Sequence, residues 1–554
     1  MSKLRQKISD AVNALGFEFI RKNNLRISVN GKVFDGALSF KRFQLTFIER
    51  LAVDEMMAEG AGDNYVSGTI ALKESRWKRG SLMSVLAVLI PGRVLSRTAA
   101  VVRPGRIKSL YAKLRRYALR FVYFSILSCK RIDYGSVKRV FLVDAGEIKR
   151  TRLLGKNYVY HKYLEGKIDL DSRDFDKGDL ILFYGDFENI GLRLAFDRRV
   201  ALLGQYWRQY ETAIPVAAVC KNFYRYFSSR GDDLNVKHVK KGQDLFHEVL
   251  LSDLTMVSSF ENFLTRITGD IEICADSFDS TLFTLSQFTL RNYGHTLTAF
   301  QKVLGPYIFS FNIAGNEGLL MEPSRIFTWG RFHSGNLRAL GYSGKVEESY
   351  SYKLQVYGEA MKRMDRCAIR RQLGIPVERK VVMFSAVGEI LGYPLIEDAR
   401  FAHMLEQLSE ICRRRQVFIL FKPWPGEDMK RLREFIKYAG FGDFMVADGR
   451  VSRKMHNAEL LAASDIMVST LSSFIGEAFY LGVLPVFINY HTSRRYFSSE
   501  YSEEFEKFTL AVDERRDFAA VLEKALALDE AGRAAFFEGG RENFEYIFGK
   551  VPEA

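Results

Sequence analysis

The sequence predicts an α/β protein built as two Rossmann-like domains facing a cleft, with an N-terminal basic helical extension. Three observations lead there. The 554-residue length exceeds what one hydrophobic core fills, so more than one domain is expected. From residue 139 onward, apolar runs rich in β-branched and aromatic residues alternate with longer helix-compatible segments, the texture of parallel sheets covered on both faces. Ahead of that alternation stands a cation-rich stretch that contains no acidic residue.

Residues 1–135 form the extension. An amphipathic helix is expected near 4–21, followed by the strand-like "LRISVNGKVF". Between Arg76 and Arg131 there are 14 Lys and Arg and no Asp or Glu, which nearly accounts for the net charge of +15 of the whole chain. The cations of 76–131 are interleaved with Leu, Val, Ile, Tyr and Phe. A helix of that pattern lays its apolar face among acyl chains while its cations meet anionic headgroups. A solvated basic face and nucleic-acid binding are the other two readings, and the second lacks a recognisable nucleic-acid module. An anionic membrane surface is therefore the expected partner, and nucleic acid is not.

The first domain spans 136–340. Its strands are expected at 139–146, 179–186, 214–222, 254–262, 307–316 and 325–331. A polar helical hinge covers 341–373. The second domain, 374–554, carries expected strands at 380–388, 417–426, 444–449, 465–470, 485–490 and 508–514. Between them, 397–415 places Phe401, Met404, Leu405, Leu408 and Ile411 on one helical face, and two further helices close the chain at 516–528 and 530–548.

Composition narrows the function. Hydrophobic content of 47% and charged content of 27% belong to a folded protein. The five cysteines (129, 220, 274, 367 and 412) are scattered and form no CxxC pair, which reads as reduced thiols of a cytoplasmic protein. The eight histidines do not cluster, so no metal site is expected. "DLDSRDFD" (169–176) holds two D-x-D triplets but no preceding apolar strand, and reads as a loop. The start of the chain lacks a continuous apolar core, so no secretory signal is expected, and no apolar run reaches the roughly 20 residues of a membrane span. P-loop, GxGxxG and GxSxG patterns are absent.

The chemistry concentrates in "SDIMVSTLSSFIGEAFYLGVLPVFINY", 464–490. A strand ends at Ser469-Thr470 and a helix begins near Ser472. Free backbone N–H groups and the positive helix end converge there and favour an anion. Ser472 and Ser473 cap that end and offer hydroxyls to a phosphate. Glu477, four residues after Ser473, lies on the same helical face one turn in, where a carboxylate accepts hydrogen bonds from vicinal sugar hydroxyls. Plain helix capping accounts for the same residue types, and the sugar-transfer reading falls if the serine pair packs away from an interdomain gap or the carboxylate is locked in a private ion pair.

"STLSSFIGEAFYLGVLP" resembles the S/T-x-x-S-S-x-x-x-E-A-x-x-x-G-x-P segment of bacterial GT-B glycosyltransferases, with one more residue between Gly482 and Pro485 than that pattern has. "VFILFKPWPGED" resembles the strand-K-P-H-P-x-E segment of their surface-polysaccharide branch, which includes sialyltransferases, Kdo-type capsule transferases and CDP-glycerol polymerases. The resemblance covers about 370–550, the donor-binding half. It implies a GT-B-like fold, a nucleotide sugar as co-substrate with no metal or other cofactor, Glu477 on the donor ribose and the serines on donor phosphate. A residue also departs: Trp424 stands where the family has His, and indole supplies neither proton nor phosphate contact.

Lys422, directly after its strand, suits a departing nucleoside phosphate, though a lysine covering a loop has the same spacing. Ser385 ends the first strand of the second domain and is a further donor contact. A catalytic base is expected from the first domain. Asp144 in "FLVDAGE" is the first candidate, with Asp276 in "EICADSFDS", His333 after "FTWGRF" and Asp186 behind it; each also reads as a loop acid or cap. The expectation is a metal-independent glycosyltransferase at the inner face of the cell membrane, acting on a glycan or lipid-linked glycan acceptor. A sugar-nucleotide 2-epimerase-like enzyme and an inactive scaffold of a polysaccharide complex are the alternatives.

Overall fold

The computed structural model describes residues 26–29, 32–35, 131–144, 148–153, 156–161, 176, 178–184, 197–207, 216–230, 236–276, 292–301, 323–339, 342–385, 389–390, 393–394, 396–424, 429–447, 451, 455–490 and 499–552. The basic segment 76–131 (save Arg131), the expected helix near 4–21 and the expected strand 307–316 lie outside them, as does most of "DLDSRDFD".

The first sheet has seven strands: β1 (Arg139–Asp144), β2 (Asp179–Tyr184), β3 (Val200–Leu202), β4 (Glu272–Asp276), β5 (Thr296–Phe300), β6 (Arg325–Trp329) and β7 (Lys345–Ser349). Their order is β7–β6–β5–β4–β1–β2–β3, with every neighbouring pair parallel. Helices α1 (Val216–Arg230) and α2 (Val236–Leu264) cover one face, and α3 (Gly330–Ala339) follows β6 at once. Two runs expected as strands, 214–222 and 254–262, lie in these helices instead. Over the 29 residues of α2, Leu245, Phe246, Val249, Leu250, Leu254, Val257, Phe260 and Phe263 are buried at helical spacing. A nine-residue window of that pattern is too short to tell a buried helix from a buried strand.

Two helices, α4 (Tyr352–Met361) and α5 (Arg366–Leu373), connect the sheets, while 345–349, read as hinge, is the edge strand β7. The second sheet holds β8 (Val381–Ser385), β9 (Phe418–Phe421), β10 (Phe444–Val446), β11 (Ile466–Thr470), β12 (Leu484–Ile488) and β13 (Leu510–Val512). It is again parallel throughout, in the order β10–β9–β8–β11–β12–β13. Its helices are α6 (Asp398–Arg415), α7 (Met429–Ala439), α8 (Asn457–Ala462), α9 (Ser473–Tyr480), α10 (Ser499–Glu506), α11 (Phe518–Ala527) and α12 (Glu530–Phe548). The six expected strands and both closing helices of this half form where their patterns place them.

Alternate residues of the central strands enter opposite cores. Val382, Phe384, Val468 and Val486 pack with Phe401, Met404, Leu405, Leu408 and Ile411 of α6. Val381, Met383, Met467 and Phe487 pack with α9, α10 and α12, and that second core also takes in Trp329 and Phe332 from the first domain. The two sheets are thus joined through shared apolar packing. Phe548 at the end of α12 stacks on Trp329 at 6.1 Å, and its carbonyl accepts from Ser351 N at 3.0 Å. Gly330, with φ of +59°, lets α3 begin against α12: a Cβ there meets the Tyr546 carbonyl at 2.5 Å. At the amino ends of β8 and β11, Asp465 receives Arg370 at 2.7 Å, the Arg366 side chain and the backbone N–H of Val381 at 2.8 Å.

Cys220, Cys274 and Cys412 are buried and Cys367 is half-buried, and none of these four is in a disulfide. Burial pushes the Cys220 thiol up to about 11 and the Cys412 thiol up to about 12, so neither is reactive at neutral pH.

Candidate functional site

In chain order the second sheet runs third, second, first, fourth, fifth, sixth. The order reverses between β8 and β11, and open parallel sheets bind ligands beyond the carboxyl ends of the strands at that reversal. Ser385 ends β8 and Ser469 lies opposite it in β11. Both are buried: the Ser469 hydroxyl donates to the Thr470 carbonyl at 2.9 Å, whereas Oγ of Ser385, 2% exposed, has no hydrogen-bond partner among the described residues. Ser472 is the N-cap of α9, its hydroxyl accepting from Phe474 N at 3.2 Å, and Ser472 and Ser473 are half-exposed.

Lys422 leaves β9 on the other side of β8, its backbone N–H donating to the Phe384 carbonyl at 2.9 Å. Its ammonium lies 5.1 Å from the centre of the Phe474 ring, in the first turn of α9. Neighbouring strands thus end at Ser385 and Lys422, and the strand on the far side of β8 leads into the α9 tip of Ser472 and Ser473, so four of the residues singled out in the sequence share one rim of the sheet. Trp424, two residues beyond Lys422, is half-buried against the α6 side of the core.

Glu477 differs from expectation. It is 3% exposed, and Oε1 is paired with the Lys353 ammonium at the start of α4. A carboxylate with both oxygens open to a diol is not what the structure holds. Oε2 is buried without a partner among the described residues. Gly476 turns the next face of α9 to Phe548, whose ring occupies the space a methyl group would need.

The first sheet reverses in the same way, between β1 and β4. Asp144 ends β1 and Asp276 ends β4, so both candidate bases sit at the carboxyl ends of the two strands that flank the reversal. Asp186 lies outside the described residues. His333 requires a correction. It is 0% exposed in the joint between the domains, Nδ1 is 2.9 Å from the Tyr501 hydroxyl, and burial pushes the imidazole down to about 3. A neutral ring enclosed by Trp329, Phe332 and Tyr501 faces no acceptor hydroxyl.

Sequence reasoning missed Lys353, whose partner is 124 residues away, and Tyr501; neither sits in a motif. It also passed over Asn489, which follows β12 on the same rim, 1% exposed, with Oδ1 unpartnered among the described residues. Among the described residues no cluster of His, Cys, Asp or Glu suits a metal ion, and no helix is long and apolar enough to cross a membrane.

The fold defines a protein of two parallel α/β sheets, each with its strand order reversed at one point. No protein-family model matches the chain, and no curated protein matches it. Solved structures similar to it include a UDP-GlcNAc 2-epimerase from Neisseria meningitidis bound to UDP-GlcNAc, at 11% identity over 74% of this chain and 97% of that one, with a TM-score of 0.44. Another is a glycosyltransferase from Rickettsia africae, at 11% identity over 74% and 94%, with a TM-score of 0.37. A third is an α,α-trehalose-phosphate synthase from Burkholderia xenovorans in complex with glucose-6-phosphate, at 12% identity over 74% and 97%, with a TM-score of 0.38.

Proposed function

We propose that the protein transfers a sugar from a nucleotide-activated donor to a glycan or lipid-linked glycan acceptor, without a metal ion. The observation that carries this reading is the shared rim at the sheet reversal, where Ser385, Lys422 and the Ser472–Ser473 tip of α9 meet; hydroxyls, an ammonium and helix-end N–H groups together suit a diphosphate or monophosphate ester. The motif resemblance of 417–428 and 469–485 supports the same ligand.

Donor phosphate occupies the space between Lys422, Ser472 and Ser473, and the ribose reaches the second oxygen of Glu477. In the reaction the acceptor hydroxyl gives its proton to a carboxylate of the first domain, Asp144 before Asp276. Its oxygen bonds to the anomeric carbon as the bond from that carbon to phosphate oxygen breaks, and the nucleotide leaves with the electron pair. Lys422 stabilises the charge arriving on that phosphate. The basic segment 76–131 holds the enzyme at an anionic membrane surface, where lipid-linked acceptors lie.

The test is a thermal-shift panel of UDP, GDP and CMP. A nucleotide at 100 times its Kd adds about 2.7 kcal/mol, which raises the midpoint by roughly 5–11 °C. Lys422→Ala abolishes the shift of the class that binds. No shift with any nucleotide refutes the reading. Nucleotide release that requires an acceptor identifies transfer, whereas donor conversion without an acceptor identifies the epimerase-like alternative.

A further inference from the structure

The donor helix α9 is gripped by the connector between the two sheets. Lys353 stands in the first turn of α4, which follows directly on the edge strand β7. Its ammonium meets Oε1 of Glu477 and lies 5.4 Å from the centre of the Tyr357 ring. Tyr357 is buried and packs edge-on against His456 at 5.0 Å, and a Cβ at Gly358 comes within 2.8 Å of the Tyr480 hydroxyl. The helix α4 is therefore seated on both α8 and α9, and Lys353 has little room to leave.

With Oε1 taken and Oε2 lacking a hydrogen bond among the described residues, Glu477 has one acceptor left for a ligand. Buried acceptors are satisfied in nearly all folded proteins, so an empty one next to an anion-adapted helix tip points to a donor that arrives with the ligand. We propose that Lys353 is a positioning residue for nucleotide binding: it occupies one oxygen of Glu477, fixes the orientation of the carboxylate, and presents the other oxygen to a ribose hydroxyl. This inference rests on the nucleotide reading above. The connector thereby sets the grip of the donor helix, and a shift of α4 loosens it.

The experiment is calorimetric titration of the full-length protein with UDP, GDP and CMP, and with the 2′,3′-dideoxy form of the one that binds. It is carried out on wild type, Lys353→Met, Lys353→Arg, Glu477→Gln and the double variant Lys353→Met with Glu477→Gln. Wild type is expected to favour the ribose form by at least about tenfold, the size of a charge-assisted hydrogen bond. Lys353→Met and Glu477→Gln each erase that preference, Lys353→Arg restores part of it, and the double variant equals Glu477→Gln alone. Lys353→Gln replaces Lys353→Met if the latter does not fold. A ribose preference retained without the lysine charge, or losses that add in the double variant, overturns the inference and leaves the nucleotide reading standing. No binding by wild type overturns both.

Discussion

Replacing Phe548 by alanine tests whether the two sheets share one core. Phe548 is 1% exposed, and its ring lies 5.0 Å from Phe544, 6.0 Å from Phe505, 6.3 Å from Phe508 and 6.1 Å from Trp329 of the first domain. Gly476 offers no side chain to fill the space left behind. Truncating a buried Phe costs about 3–5 kcal/mol, and the several aromatic contacts place this site near the middle of that range, about 4 kcal/mol. At roughly 2–4 °C per kcal/mol for domains of this size, the midpoint falls by roughly 8–16 °C. Differential scanning calorimetry reads the result, with tryptophan fluorescence following Trp329. Wild type is expected to unfold both sheets in one transition. The variant separates them, because the ring bridging Trp329 to α12 is gone. A fall of less than about 2 °C with an unchanged single transition refutes the shared-core argument.

Asp465→Ala leaves the buried Arg370 guanidinium without its carboxylate and is expected to destabilise by about 3–5 kcal/mol in urea unfolding; a loss below about 1 kcal/mol shows that the carbonyls of Ala463, Val377 and Arg379 suffice for Arg370. The Arg516 guanidinium and the backbone N–H groups of Arg515 and Arg516 hold the Asp513 carboxyl down to about 2, below its usual range. A depressed carboxylate stabilises above its unfolded value and loses that contribution as pH falls toward about 2, so between about pH 4 and pH 2 wild type loses stability that Asp513→Asn does not have to lose; parallel acid curves for the two proteins contradict this. Deleting 76–131 is expected to abolish flotation with vesicles containing anionic lipid, and flotation unchanged by lipid charge contradicts membrane docking.

The second domain was legible residue by residue because its strands are buried on both faces. Such strands read as unbroken apolar runs such as Ile466–Val468, and Gly482, with φ of +71°, marks the turn after α9, while Pro485 lies within β12. The local parts of the site were legible for the same reason: a serine N-cap and a lysine leaving a strand are matters of spacing. In the first domain the runs at 214–222 and 254–262 are apolar nine-residue pieces of longer helices, whose helical spacing shows only over their full length.

What the sequence determined by itself was strand–helix alternation, the positions of Ser385, Lys422, Ser472 and Ser473 at strand and helix ends, and the placement of charge ahead of the fold. Tertiary structure alone decided that Lys422 lies against α9, that Glu477 shares its charge with Lys353, and that His333 is walled into the joint. Local propensity acts over a few residues along the chain. Strand order, and with it every contact between groups about a hundred residues apart, is set only when the sheets assemble and bury their faces.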